Sequence, residues 1–190
     1  MQNLRRSGIQ AASACLCIAL HGQERNGYMI HEIIGDLTQS DASIICHQAN
    51  FYGVMGGGVA LCIWNKLLPS SSKMQYRDLC IEKGDALLGT VQYVKAVRSA
   101  DSHKCIIANL FCQDDQAQED GSLTRYDCMR ICLQAVEAYA RDNDFRTVAV
   151  PGYMGCGIAG GDWGKVLSII RDVFEKSPVE LSIVYWDKQN

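Results

Sequence analysis

Proline is scarce, three residues in 190, and nothing gathers it into a linker that would divide the chain into tethered parts. Clusters of positive charge are missing as well. The formal charge is −3, and the lysines and arginines are scattered. That excludes a bulk electrostatic grip on nucleic acid. No Cys-x-x-Cys spacing occurs among the ten cysteines. Cys46, Cys62, Cys105 and Cys112 lie in or beside apolar runs, and Cys128 and Cys132 sit one helical turn apart without a partnering His motif. They read as reduced thiols acting as small buried hydrophobes, not as a disulfide framework or a zinc site. Internal repeats and low-complexity tracts are absent, and no apolar run is long enough to span a bilayer. With 48% hydrophobic residues, a chain of this length suits one well-buried domain. The expectation is a cytoplasmic monomer that requires no metal or cofactor and no membrane.

The first 28 residues fit that domain poorly. Arg5-Arg6 followed by an apolar stretch over 9–20 imitates a secretory signal, but His21-Gly22-Gln23-Glu24 is a poor cleavage site. Residues 1–28 are therefore read as a leader, disordered or non-native, ahead of a domain over 29–190, with Met29 an alternative start.

What the chain does have is glycine, concentrated in two loops. One is Asn50-Phe51-Tyr52-Gly53-Val54-Met55-Gly56-Gly57-Gly58; the other is Gly152-Tyr153-Met154-Gly155-Cys156-Gly157-Ile158-Ala159-Gly160-Gly161. Each follows a short apolar run and opens into a helical pattern. That arrangement offers bare backbone N–H groups and a positive helix end to a phosphate, and two such loops face to face would hold a diphosphate. Glycines that merely make tight turns are the plainer alternative.

Hydrophobic periodicity predicts strands over 30–34, 43–48, 86–97, 104–112, 147–151 and 179–186. It predicts helices over 59–68, 73–82, 124–140 and 162–175. Thr124 and Asp162 are available as caps for the last two helices. The alternation implies a three-layer α/β/α sandwich around a central sheet, with both glycine loops at the carboxyl ends of strands, where ligands of such sheets bind.

Gly155-Cys156-Gly157-Ile158-Ala159-Gly160 fits the G-x-G-x-x-G dinucleotide fingerprint, but too little chain follows it for a full dinucleotide-binding unit. Gly56-Gly57-Gly58 lacks the Lys-Ser/Thr of a P-loop. Cys156 sits where N–H groups lower a thiol pKa, although a small neutral residue is the simpler reading. The acidic stretch 114–122 reads as a solvated loop, since no His accompanies it for a metal.

Taken together, Gly35-Asp36-Leu37-Thr38, then Asn50 with Gly56-Gly57-Gly58-Val59-Ala60, then Gly155-Cys156-Gly157-Ile158 resemble the macro domain, the ADP-ribose-binding fold. The resemblance runs from Met29 to Trp186 and implies a mixed central sheet. It implies that Asp36, with Leu37 beside it, meets adenine. The first loop, Asn50 and Gly56 to Val59, would hold the distal ribose and a phosphate. The second loop, Gly155 to Ile158, would wrap the diphosphate, with Tyr153 bordering the ligand. A branch that hydrolyses through Gly-Gly-Val-Asp matches poorly, because Val59-Ala60-Leu61 follows Gly58. A branch with a lysine nucleophile and an aspartate has Gln113 and Ala159 near those positions. His47-Gln48-Ala49-Asn50-Phe51-Tyr52-Gly53 is most similar to the ADP-ribose-1″-phosphate phosphatase branch, which implies His47 as a catalytic residue; His47 or Asn50 would position the attacking water. A His packed at a strand end is the plainer alternative. The expected activity is hydrolysis of ADP-ribose derivatives, by 1″-phosphate removal or de-ADP-ribosylation. A non-catalytic reader of ADP-ribose is the alternative, and the partner in either case is ADP-ribose or an ADP-ribosylated molecule.

Overall fold

A computed structural model describes residues 30–186; the expected leader over 1–28 lies outside the described residues. The elements run β1 (Ile30–Ile34), β2 (Ile44–Asn50), α1 (Gly58–Lys66), α2 (Ser70–Lys83), β3 (Val91–Val97), β4 (Lys104–Gln113), α3 (Tyr126–Asp142), β5 (Thr147–Pro151), α4 (Trp163–Phe174) and β6 (Glu180–Tyr185). The sheet order is β1-β6-β5-β2-β4-β3. All neighbours are parallel except β3, which returns antiparallel along β4, so the sheet is mixed. Helices cover both faces, which makes the domain a three-layer α/β/α sandwich.

The strands alternate between two cores. Ile44 and Cys46 of β2 face α3 and α4, where they meet Met129, Leu133, Val136, Val166 and Ile170. Ile45 and Ala49 face the other way, toward Ile63 of α1 and Tyr76 of α2. Tyr76 stacks on Phe111 of β4 with ring centroids 5.9 Å apart. A strand buried on both faces has no polar side, which is why β5, the start of β2 and most of β4 read as apolar runs. Replacing Leu133, fully buried, by Ala is expected to cost about 2–5 kcal/mol in lost transfer energy and cavity.

Two boundaries differ from the sequence reading. The strand expected over 86–97 begins only at Val91. A 3-10 helix fills Gly84–Leu87, and Gly89, at φ 79°, turns the chain back so that its N–H reaches the Phe111 carbonyl. The helix expected from 124 starts at Tyr126, and its N-cap Arg125 makes no capping bond. Thr124 is instead bridged to Gln113 at the end of β4, with its hydroxyl committed elsewhere. Asp162 does cap α4, accepting from the Lys165 N–H. Among the described residues no helix is long and apolar enough to cross a membrane.

Candidate functional site

A cleft of about 490 Å³ opens at the carboxyl ends of the strands, between the two glycine loops. Its floor runs from Gly35 and Trp186, after β1 and β6, to Gln113, the last residue of β4.

Gly57, Gly58, Val59 and Ala60 bring the N-terminus of α1 to the cleft wall. Gly57 is the N-cap, and no side chain caps it. The first N–H groups of α1 therefore stay free for an outside acceptor, backed by the positive end of the helix dipole, roughly half a unit charge. Gly58 takes φ +57°, a backbone that side-chain-bearing residues adopt at a cost.

The loop before α1 is braced from within. Asn50 Oδ1 accepts from the N–H of Tyr52 at 3.0 Å and of Val54 at 3.4 Å, and its Nδ2 donates to the Val54 carbonyl. Tyr76, from the buried face of α2, donates its hydroxyl to the Asn50 carbonyl at 2.6 Å.

The second loop faces the first. Gly155, Gly157, Ile158 and Ala159 line the cleft. Three turns fold the loop, Cys156 N–H to Tyr153 O, Gly160 N–H to Gly157 O and Gly161 N–H to Gly155 O. The N–H groups of Gly157, Ile158 and Ala159 find no acceptor among the described residues. The loops meet over the cleft: a Cβ on Gly57 would stand 2.7 Å from the Ile158 Cδ1 atom. Ile158 itself is 79% exposed, so this clasp is a surface contact.

Aromatic rings gather at the β1–β6 end. Tyr153, at φ 57°, lies 5.3 Å from Trp163 and 5.5 Å from Tyr185, centroid to centroid. Tyr153 and Trp186 both line the cleft, offering faces on which a nucleobase can stack.

No Asp, Glu, Lys, Arg or His lines the cleft among the described residues. The side-chain polar groups there come from Gln48, Cys62, Gln113, Tyr153 and Trp186. An anion entering this space is met by backbone dipoles and not by fixed charge.

Of the residues singled out from the sequence, Leu37, Gly57, Gly58, Val59, Tyr153, Gly155, Gly157 and Ile158 come together in the cleft. His47 does not. Side chains alternate along β2, and His47 points into the sheet core, fully buried. Its Nε2 lies 2.7 Å from Asn109 Oδ1 and its Nδ1 2.9 Å from the Gln48 carbonyl. Burial holds its pKa below the ordinary histidine value, against the pull of those two hydrogen bonds. The expected catalytic His47 is a packed strand histidine, and Gln48, one residue on, faces the cleft instead.

Asn50 stands at the root of the first loop, its amide spent on that loop. Asp36 also sits beside the cleft. Its carboxylate accepts from Thr38 N at 2.8 Å, Thr38 Oγ1 at 2.7 Å and Lys66 Nζ at 2.8 Å. Partial burial opposes ionisation, but the Lys66 and Thr38 hydrogen bonds prevail and keep its pKa below the usual carboxylate range. Gly56 is exposed on the rim. Cys156 turns its thiol to the Met154 carbonyl, and burial, with the Asp162 charge, pushes it up to about 11, so it is no thiolate.

The sequence reading passed over Gln48, Cys62 and Trp186 as cleft residues. A period-two count from Ile44 would have separated Gln48 from His47; the β-bulge between Ala49 and Asn50 leaves no such cue further on. Arg125, the N-cap of α3, is taken up by Asp114 and Asp127.

The family model for the Macro domain matches residues 46–170. The chain belongs to the Macro domain family. A comparison with curated proteins finds no match. Among solved structures, this macro domain is similar to a protein of unknown function from Bacteroides thetaiotaomicron. The two share 27% identity at TM-score 0.67, covering 85% of this chain and 100% of the other. It is similar also to the macrodomain of Mycobacterium tuberculosis DarG, with 23% identity, TM-score 0.66, and 83% and 97% of the two chains covered. Thermosipho africanus DarTG, solved in complex with ADP-ribose, matches with 18% identity and TM-score 0.66 over 85% of this macro domain and 42% of that chain.

Proposed function

We propose that this chain binds ADP-ribose, free or as the ADP-ribosyl group of another molecule, in the cleft between the two glycine loops. The observation that carries the reading is the convergence of the uncapped α1 N-terminus and the free N–H groups of the second loop on one uncharged cleft. A diphosphate there would accept from both loops at once. The adenine would lie toward Gly35, Leu37 and Trp186, with Asp36 at its edge, and the distal ribose toward Gln48 and Gln113. A cleft of about 490 Å³ falls in the range used for ligands of this size, roughly 300–1,000 Å³. The similar structure of Thermosipho africanus DarTG, solved with ADP-ribose, supports the choice of ligand.

The neutral lining favours capture of the ligand without side-chain acid–base chemistry. Hydrolysis of an ADP-ribose derivative, by 1″-phosphate removal or de-ADP-ribosylation, is the second reading. It is supported by the likeness of the His47-to-Gly53 stretch to the phosphatase branch. Since His47 is shut in the core and the Asn50 amide is taken up by its own loop, a water for that reaction would be held between loop N–H groups and the ligand's own phosphate.

Calorimetric titration with ADP-ribose and ADP tests the binding reading. One-to-one binding tighter for ADP-ribose than for ADP is expected, and no binding at millimolar ligand would overturn it. Multiple turnover of ADP-ribose-1″-phosphate or an ADP-ribosylated protein would then establish the hydrolase over the reader.

A further inference from the structure

Thr124 lies outside both glycine loops and is fully buried. Its backbone is clamped to the end of β4. Asp114 N–H donates to the Leu123 carbonyl at 2.8 Å, and Arg125 N–H to the Cys112 carbonyl at 2.9 Å. From that fixed base its hydroxyl donates to the Gly155 carbonyl at 2.8 Å and accepts from Gln48 Nε2 at 3.2 Å. The Gly155 carbonyl also accepts the Gly161 N–H at 2.8 Å, so both of its lone pairs are used. The fit is close. Gly155 stands at φ +75°, and a Cβ there would run into Gln48 Oε1 and lie 2.9 Å from Thr124 Oγ1; a Cβ on Gly161 would lie 3.0 Å from the same oxygen.

We propose that Thr124 is the positioning residue of the second loop, the group that turns its free N–H donors toward the ligand's diphosphate. The hydroxyl pins the Gly155 carbonyl on the sheet side. The peptide units that follow, up to the Leu123–Ala159 bond of 2.7 Å, are thereby held with Gly157, Ile158 and Ala159 along the cleft. Gln48 completes the brace by filling the hydroxyl's acceptor position, which leaves its proton for Gly155. The Thr methyl supplies packing and the hydroxyl supplies aim, and the two can be separated by substitution. The proposal rests on the ADP-ribose reading for its ligand, though not for the geometry of the brace.

The test compares Thr124→Val, Thr124→Ser and the unaltered chain. Calorimetry would use ADP-ribose and ADP, whose diphosphate needs the N–H groups of residues 157–159, and adenosine, which has no diphosphate to meet them. Amide hydrogen exchange on the unliganded proteins follows both loops. Thr124→Val is expected to weaken ADP-ribose and ADP about tenfold, the loss of one buried, aimed hydrogen bond. It should leave adenosine within twofold and speed exchange over 155–161 but not over 51–57. Thr124→Ser should restore affinity to within about threefold. Equal losses for adenosine and ADP-ribose, a Val variant that matches the parent, or exchange raised alike in both loops would each overturn the proposal. Should the unaltered chain fail to bind ADP-ribose, the reading of the site falls, while the exchange data still decide the brace.

Discussion

The two glycine loops face one cleft but are held in opposite ways. The first is braced by its own residue, Asn50, whose amide gathers the backbone of Tyr52 and Val54, with Tyr76 locking the root. The second carries no side chain able to do this, and its shape comes from Thr124 and Gln48, which belong to other elements. A loop that ends in a helix N-terminus needs only its entry fixed, since the helix aligns the N–H groups itself. A loop that must present N–H groups from irregular backbone has to be shaped from outside.

The largest effect expected in this contrast is from Gly155→Ala. It forces a side chain onto φ +75° and against Gln48 and Thr124, so stability should fall by about 2–4 kcal/mol, with ADP-ribose binding lost. Thermal unfolding beside calorimetry measures both, and a stable, binding variant would break the claim that the second loop has no slack. Next is Asn50→Ala, which empties the internal brace of the first loop. About 1–2 kcal/mol of stability should go, with affinity down about tenfold. Asn50→Asp keeps the acceptor for Tyr52 N–H and should fall between.

A pH titration of stability sharpens the comparison at the root of the first loop, where His47 is buried neutral. Its folded pKa is lowered by burial, so below about pH 6.5 the unfolded chain takes up the proton more readily than the folded one. Stability is therefore fully present above that pH and should decline as pH falls through it. Urea unfolding at pH 7.5 and 5.5 checks this, and His47→Gln should flatten the slope. The smallest effect belongs to the clasp. Ile158→Ala should change stability by less than about 0.5 kcal/mol, because the side chain is 79% exposed, while raising the ADP-ribose dissociation rate several-fold in stopped-flow measurements.

Much of this was legible in the sequence, and the boundary is physical. Apolar runs and glycine clusters are local signals, so β2, β5 and the two loops stood out, as did Asp162 as a cap, whose partner lies three residues away. Thr124 looked like a cap by the same local logic, yet its hydroxyl serves Gly155, 31 positions on. His47 and Gln48 are adjacent letters on opposite faces of the sheet: strand alternation separates them, and the packing of β2 between helix layers decides which one meets the cleft. The strand expected from 86 failed because a 3-10 helix takes residues 84–87 and a left-handed Gly89 turns the chain before Val91.

The parallel pairing of β2 with β5 also bears on how the protein comes into being. Ser43 N–H bonds to the Thr147 side chain across 104 residues of sequence, and β1 waits for β6 to pair as Ile30 with Leu181. Contacts of such high order make for slow folding. On the ribosome, a chain that has emerged only through α3 already carries the α1 N-terminus but has nothing to set opposite it. Half a cleft offers half the donors, so ligand can neither be held nor lend stability to the nascent chain. Competence to bind should therefore appear in one step, late, when the last strands join the sheet.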